Sequence, residues 1–561
     1  MTRLYRLLAF PPVTRALLLL PIAGFFLYFF TIRFNIPWFD EYENIPYFLD
    51  RFLNAPSFGE RIGALIRPNN EHRVVYARLV VLAQYYLTGR LNFGQLMLWG
   101  NMALVLIFFL LYRALRDQEG NSKKALIGML PVPLLLFVAQ NYLLTFTAIY
   151  TLQYLAIIGL VMLTFFVLAT NKPLNLGIAL ALGLLSTFSM GNGMLLWPAG
   201  AGMLILQRRW LALAIWLAVG GLGGYLYFLG YPVQQGNAEG FAYVIAHPVQ
   251  TLFGFLVFAG SVFDFFPTLL AEKRVHLPFI AGLILVGGLA YWIIKSLFQS
   301  KKNTSFFDAF ILGIVLFLLA NIALIAVFRI RFYFGMVLHS SYRTYAMVLW
   351  ATACVLFYSR LPENKRVRIW PVIWGIFVVV NVVTYITYVP MAVERRKYLQ
   401  GMAYNQVHSQ VGLGGSRDTE LARYISNLTS MMHNRGWYSL PVPTITPDEK
   451  KMENPVQASP LKIPLHVDQQ TDYVVVSSDD PTYKPGLNEG TYMVMKSDRH
   501  TYVMFATPNR PIGYFPWRMA PGFSTGIPKL MVVPGHYQLG LFRTYPDHSD
   551  LQFANQFVDV E

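Results

Sequence analysis

Leu17-Leu18-Leu19-Leu20-Pro21-Ile22-Ala23-Gly24-Phe25-Phe26-Leu27-Tyr28-Phe29-Phe30, within the apolar run Val13 to Phe34, is followed by Ile36-Pro37-Trp38-Phe39-Asp40-Glu41-Tyr42-Glu43. The run is long enough to cross a hydrocarbon core of about 30 Å as a helix. Three carboxylates then arrive within four residues, where such a helix should emerge. A second polar knot, Arg67-Pro68-Asn69-Asn70-Glu71-His72-Arg73, precedes the next apolar stretch. Lys and Arg set the orientation of membrane helices, and acidic residues contribute little to it. The grouped acids and bases therefore ask for a chemical explanation.

Composition agrees with the first stretch. The chain is 55% hydrophobic, 16% aromatic and 13% charged, with a mean hydropathy of +0.44, which places it among polytopic membrane proteins. The formal charge of +16 is no sign of nucleic-acid binding, because many of the basic residues cluster at span ends, as a cytoplasmic leaflet requires. Cys354 is the only cysteine, which excludes an intramolecular disulfide or a cysteine-rich metal site. The first apolar run lacks a small-residue cleavage site, so it reads as a retained span.

The charge pattern gives a topology. Arg3, Arg6 and Arg15 put the amino terminus in the cytoplasm and the Asp40 loop outside. Val13–Phe34, Phe93–Tyr112, Ala125–Ala139, Leu152–Ala169, Leu174–Phe188, Met194–Leu206 and Trp210–Leu229 then alternate, leaving every basic cluster inside. If Pro248 to Phe266 crossed fully, the clusters at Lys295, Lys301 and Lys302 and at Arg360, Lys365, Arg366 and Arg368 would fall outside. A re-entrant or interfacial helix there keeps them inside. Phe279–Leu297, Phe307–Phe328, Thr344–Phe357 and Ile369–Val389 complete roughly eleven spans.

The texture changes after Met391. Strand-length runs appear at Tyr473–Val476, Thr491–Met495, Thr501–Phe505, Lys529–Val533 and Gly535–Phe542, punctuated by Pro, Gly, Asn and Asp. A helical patch over Thr419 to His433 precedes them. The expected organisation is a polytopic α-helical membrane domain over 1–390, with a long outer loop 35–92. A C-terminal extracytoplasmic domain over 391–561 follows, β-rich and sandwich-like.

Asp40, Glu41 and Glu43 read either as a solvated helix cap or as chemistry-bearing acids. Their company favours chemistry: the same loop carries Glu71, His72 and Arg73, followed by Arg78 on an apolar helix. Arg73 and Arg78 can snorkel to ordinary headgroups or hold a lipid phosphate. A second basic group, Arg329, Arg331, His339 and Arg343, falls outside against the positive-inside rule, and such violations need a counter-charge or an anionic ligand. Arg343 can fork onto a phosphate, or pair with Glu71 or Asp264. Gln140, Asn141, Thr151, Gln153 and the turn Ser186 to Asn192 either bind sugar hydroxyls or satisfy broken helix ends, and the second reading is favoured. Tyr514-Phe515-Pro516-Trp517-Arg518 suits sugar stacking or domain packing equally. Phosphate-cradling loops, nucleophile elbows and zincin motifs are absent from the sequence.

The acidic outer loop Trp38-Phe39-Asp40-Glu41, the downstream Asn70-Glu71-His72-Arg73, the short-looped spans, the late Ser341-Tyr342-Arg343 and the β-rich C-terminal domain together resemble GT-C-type membrane glycosyltransferases. Arabinofuranosyltransferase-like and mannosyltransferase-like members share this layout, and the resemblance covers the spans and the first loop. It implies transfer of a sugar from a polyprenyl-phosphate donor to a hydroxyl of a glycan, lipid-linked glycan or protein, at the outer face of a bacterial cytoplasmic membrane. It also implies a first-loop carboxylate as general base, here Asp40 with Glu41 as the alternative. Arg343, Arg73, His72, Arg331 and Arg78 would meet the donor phosphate. The expected course is single displacement with inversion. The absence of a clean Asp-x-Asp motif argues against metal dependence, while Glu71, with Glu43 in support, leaves room for a divalent cation beside Asp40. A lipid-linked sugar flippase or transporter, and a glycan-binding membrane scaffold, are the competing classes. A transporter would more naturally carry charged or broken-helix sites near the bilayer midplane, whereas most spans here are clean.

Overall fold

The computed structural model describes residues 2–69, 72–231, 236–298, 304–453, 459–483, 486–510 and 520–561. The chain is mostly helical and ends in β-sheets. Eight helices among the described residues are long and apolar enough to cross a membrane: Pro11–Ile32, Phe93–Glu119, Ser122–Thr145, Ala148–Leu168, Trp210–Phe228, His276–Ser296, Phe306–Arg329 and Glu363–Ser409. Pro173–Thr187, Gly191–Leu206 and Thr344–Arg360 are shorter. By contact the chain divides into two compact units. One is Met1–Thr31, Arg51–Val80 and Leu96–Tyr388; the other is Ile32–Asp50, Val81–Gln95 and Val389–Glu561. Parts of the 35–92 loop thus cluster with the C-terminal residues, unlike the sequence-based boundary, because Asn35 and Leu91 bond to Tyr438 and Trp437.

In the first, membrane-type unit, burial separates interior from periphery. Ser122–Thr145 has 83% of its apolar window buried inside the protein, whereas Trp210–Phe228 has 22%. Both are apolar all round, so the exposed one suits contact with lipid. The helices Ala238–Ala246 and Pro248–Ala259 meet at a bend of 104°. Pro248–Ala259 has 12 residues, about 18 Å of helix, well short of the hydrocarbon thickness. It packs backbone to backbone on the helix His276–Phe298: a Cβ on Gly260 would collide with Pro278 O, and one on Gly282 with Leu256 O.

Polar contacts gather the basic loops at one end of this unit. Arg209 donates to Leu168 O at 2.6 Å, and Thr304 Oγ1 donates to Leu206 O at 2.9 Å. Arg360 pairs with Asp308, and Lys124 with Glu363. Arg366 forks onto Glu119 at 2.6 and 2.9 Å. A different set of contacts joins other loops. Gln140 reaches the carbonyls of Ser261 and Asp264, Asn192 bonds to Tyr345, and Val75 N–H donates to Phe188 O.

The second unit holds two sheets. β1 (Ser459–Pro460), β9 (Ser549–Val560), β8 (Gly535–Thr544), β4 (Gly490–Lys496) and β5 (Thr501–Phe505) form one in that order. β2 (His466–Gln469), β3 (Tyr473–Ser478), β7 (Phe523–Pro528) and β6 (Thr507–Pro508) form the other. Every pairing is antiparallel except β1 with β9. The last turns of Glu363–Ser409 cover the first sheet, where Tyr404 joins Tyr492, Val494, Val503, Phe505 and Phe542 in the core. Asn405 donates to Val503 O and accepts from Val503 N–H, both at 2.8 Å. Its carboxamide so completes the hydrogen bonding of edge strand β5 at that residue. The helical patch is Glu420–Asn434, opened by Thr419, whose hydroxyl accepts from Ala422 N–H. The expected strand at Lys529–Val533 is instead a 3-10 turn over Lys529–Met531, entered from Pro528.

Candidate functional site

In the second unit, the segment after the first span is clamped from several sides. Tyr438 Oη donates to Asn35 O at 2.6 Å, Phe93 N–H donates to Asn35 Oδ1 at 2.8 Å, and Trp38 packs edge-on against Tyr398. Arg435 pairs with Asp50 at 2.7 Å. Between these anchors the chain turns at Phe39, whose φ of 50° and ψ of −111° are strained for a residue with a Cβ. The turn leaves the Phe39 ring 52% exposed and starts a helix at Asp40. Pro46 has no N–H to give to that helix, and a π-turn over Glu43–Tyr47 absorbs the defect.

The three acids of this turn differ in what they touch. Glu41 is buried, and its carboxylate accepts the Trp38 N–H at 2.7 Å. It stitches the helix start, so one oxygen of the alternative base candidate is engaged by the backbone. Asp40 is partly buried, and its carboxylate has no hydrogen-bond or ion-pair partner among the described residues. Burial raises its pKa above the ordinary carboxyl value. Its backbone carbonyl is held by Asn44 at 2.9 Å. Glu43 is partly buried on the π-turn. A basic, positioned and unspent carboxylate is the arrangement that proton abstraction from a hydroxyl requires.

In the membrane-type unit the arginines are already engaged. Arg343 is 1% exposed and pairs with Asp264, which is fully buried. Its Nε donates to Leu338 O at 2.8 Å and its Nη1 to Tyr388 Oη at 2.5 Å. Tyr388 Oη and Gln140 Nε2 both donate to the backbone carbonyl of Asp264, at 2.8 and 2.9 Å. Arg274 approaches the same carboxylate at 3.5 Å. Of the two readings of Arg343, the Asp264 pair is the arrangement found; a ready-made phosphate fork is corrected to an occupied one.

Arg73 and Arg78 neither snorkel nor stand open to a ligand. Arg73 donates to Ile66 O at 2.5 Å and to Tyr227 O and Leu229 O, both at 2.9 Å. Arg78 Nη1 donates to Ala64, Leu65 and Arg67 carbonyls. Each guanidinium closes helix C-termini, where orphan carbonyls and the negative dipole end favour a cation. Arg331 pairs with Glu239 at 2.6 Å and lies over the Phe332 ring. His72 forms a two-residue bridge with Asn69 through backbone hydrogen bonds. Arg73, Arg78 and Arg331, expected at the donor phosphate, thus engage protein oxygens, with Arg331 Nε left without a partner among the described residues. Glu71 and the stretch Tyr514 to Arg518 lie outside the described residues.

Sequence reasoning undervalued the small polar residues. Gln140, Asn141, Asn192 and Ser261 are buried, and each keeps a side-chain oxygen without a hydrogen-bond partner among the described residues. So do Ser340 and Ser341 beside Arg343, and Asp264 at Oδ1. Unsatisfied buried oxygens in such number call for an explanation. The signal available in the sequence was the recurrence of amides and hydroxyls between apolar spans. Among the described residues no group of three or more His, Cys, Asp and Glu side chains is placed to hold a metal ion. Searches of protein-family models, curated proteins and solved structures yield no match to this chain.

Proposed function

We propose that this chain is a polytopic membrane glycosyltransferase that moves a sugar from a polyprenyl-phosphate donor to an acceptor hydroxyl, with Asp40 as the base. The observation that carries the proposal is the Asp40 carboxylate: unpartnered among the described residues, raised in basicity by burial and set behind a strained Phe39. The base removes the hydroxyl proton as the acceptor oxygen attacks the anomeric carbon from the face opposite the phosphate. The bond to the phosphate breaks, the electron pair leaves on its oxygen, and configuration inverts. A glycan, lipid-linked glycan or protein hydroxyl would serve as acceptor. Asp40 and the two sheets belong to one compact unit, which supports assigning acceptor binding to that unit.

The loop contacts support the proposed topology. The basic loops near 119–124, 168–172, 206–209, 304–308 and 360–366 are joined by direct contacts at one end. Between Arg209 and Thr304 the chain must leave that end and return. Trp210–Phe228 and His276–Phe298 provide one crossing each, so Pro248–Ala259 need not cross, a reading its 12-residue length supports. We assign this end to the cytoplasm of a bacterial cell, with the Asp40 turn and the C-terminal sheets outside.

The test is sugar transfer by purified protein from a panel of synthetic polyprenyl-phosphate sugars, with wild type beside Asp40→Asn. Full turnover in Asp40→Asn would remove the base from this turn. One observation favours a second reading, a lipid-linked sugar transporter: the 104° bent helix pair leads into a buried Asp264–Arg343 pair, a broken-helix charged site of the kind transporters use. Donor movement across reconstituted vesicles without sugar transfer would support it and exclude the enzyme.

A further inference from the structure

Two guanidinium groups, Arg343 and Arg274, converge on one carboxylate, Asp264. The three groups sum to one excess positive charge, and no other carboxylate among the described residues pairs with either arginine. A buried excess charge is costly unless a counter-ion joins it. Hydrogen-bond capacity is also unspent: among the described residues Asp264 Oδ1, Arg274 Nε, and the hydroxyls of Ser261, Ser340 and Ser341 have no hydrogen-bond partner. Each unsatisfied group of this kind calls for an explanation. A phosphate ester supplies what is missing, since it brings negative charge for a guanidinium fork and acceptor oxygens for hydroxyls.

The group is built so that the acid can yield. Arg343 stands at the start of the helix Thr344–Arg360, with Nε on Leu338 O and Nη1 on Tyr388. The backbone carbonyl of Asp264 is pinned by Tyr388 and Gln140, but among the described residues its carboxylate pairs only with the two arginines. A rotation of that one side chain would release the edge that each guanidinium turns to it, while Arg274 keeps its bond to Pro267 O and Arg343 those to Leu338 O and Tyr388. We infer that Asp264 is a resident counter-ion, exchanged for the phosphate of an anionic ligand at Arg343 and Arg274. The inference rests on the proposed use of a phosphate donor, and it adds that the donor site is locked from within until phosphate arrives.

The test uses the full chain in detergent and a polyprenyl phosphate carrying no sugar, so it is independent of whether Asp40 transfers anything. Asp264→Asn, which removes the competing charge, should bind the probe about 10-fold more tightly than wild type. Arg274→Gln, which leaves the Asp264–Arg343 pair intact, should bind it about 10-fold less tightly. Phosphatidylglycerol vesicles and inorganic phosphate run as parallel probes. A gain confined to polyprenyl phosphate supports exchange by the carrier, and a gain shared with phosphatidylglycerol or inorganic phosphate supports exchange by a headgroup or free anion. Wild-type affinity for all three probes in Asp264→Asn overturns the inference. If that variant does not fold, unchanged polyprenyl-phosphate affinity in Arg274→Gln overturns it instead. Absence of sugar transfer alongside tighter binding in Asp264→Asn would count against the glycosyltransferase reading and leave the exchange standing.

Discussion

Asp40 and Asp264 meet the same difficulty in opposite ways. Both are carboxylates withdrawn from water. Asp264 is surrounded by two arginines on its side chain and by Tyr388 and Gln140 on its carbonyl. Asp40 has its backbone carbonyl held by Asn44 and its side chain left without a partner among the described residues. The first arrangement stores charge and the second stores basicity. The difference teaches that burial alone does not distinguish a structural acid from a reactive one; the count of partners does.

The largest effect that would sharpen this contrast is on turnover. Asp40→Asn should reduce sugar transfer by about 10²- to 10⁴-fold, the usual contribution of a general base, while polyprenyl-phosphate binding stays near wild type. Glu41→Gln should instead lower the melting temperature, because it weakens the cap on Trp38 N–H. Loss of turnover in Glu41→Gln with normal stability would reverse the two roles.

Asp264→Ala comes next. Removing one partner of a buried ion pair leaves an uncompensated guanidinium, at a cost of about 3–5 kcal/mol. Unfolding should show it in the absence of phosphate lipid, and added polyprenyl phosphate should recover part of the loss by mass action. Stability equal to wild type would mean that Arg343 does not depend on Asp264.

A smaller effect follows from the raised pKa of Asp40. The folded state binds this proton more tightly than the unfolded chain does. Stability therefore falls as pH rises from the ordinary carboxyl value through the raised one, and the loss is complete above it. Asp40→Asn should melt at or slightly above wild type at neutral pH and lose the difference in acid. Turnover should run the other way, falling as pH drops through the raised value. A variant less stable than wild type at neutral pH would show that the ionised carboxylate is a structural partner after all. The smallest effect belongs to Glu363→Gln, which breaks an exposed pair with Lys124 and should leave the melting temperature unchanged.

Much of the architecture was readable because apolar length and strand alternation report on burial directly. Thr419 opens its helix, and β3, β4, β5 and β8 lie where the strand-length apolar runs and the alternation over Gly535–Phe542 place them. β9 was hidden: its buried positions shift from Ser549 and Leu551 to Ala554, Val558 and Val560, a change of phase opposite the irregularity between Gln538 and Gly540. At the candidate site, residue type was legible and partnership was not. Arg73 and Arg78 were recognisable as misplaced cations, but the carbonyls they close come from helix ends that only folding brings near. Asp264 is legible only as a partner for Arg343, and Arg274 carries no signal of its own, since an apolar segment ending in Asp264-Phe265-Phe266-Pro267 reads as a membrane boundary.

Asn405 carries a consequence of another kind. An uncovered β5 margin would offer its N–H and C=O groups to any extended peptide nearby, the usual start of strand-mediated aggregation. The carboxamide presents one donor and one acceptor to Val503 and imitates a neighbouring strand for the length of one residue. It closes that margin to recruitment of a foreign chain, so this helix safeguards solubility as well as filling the core.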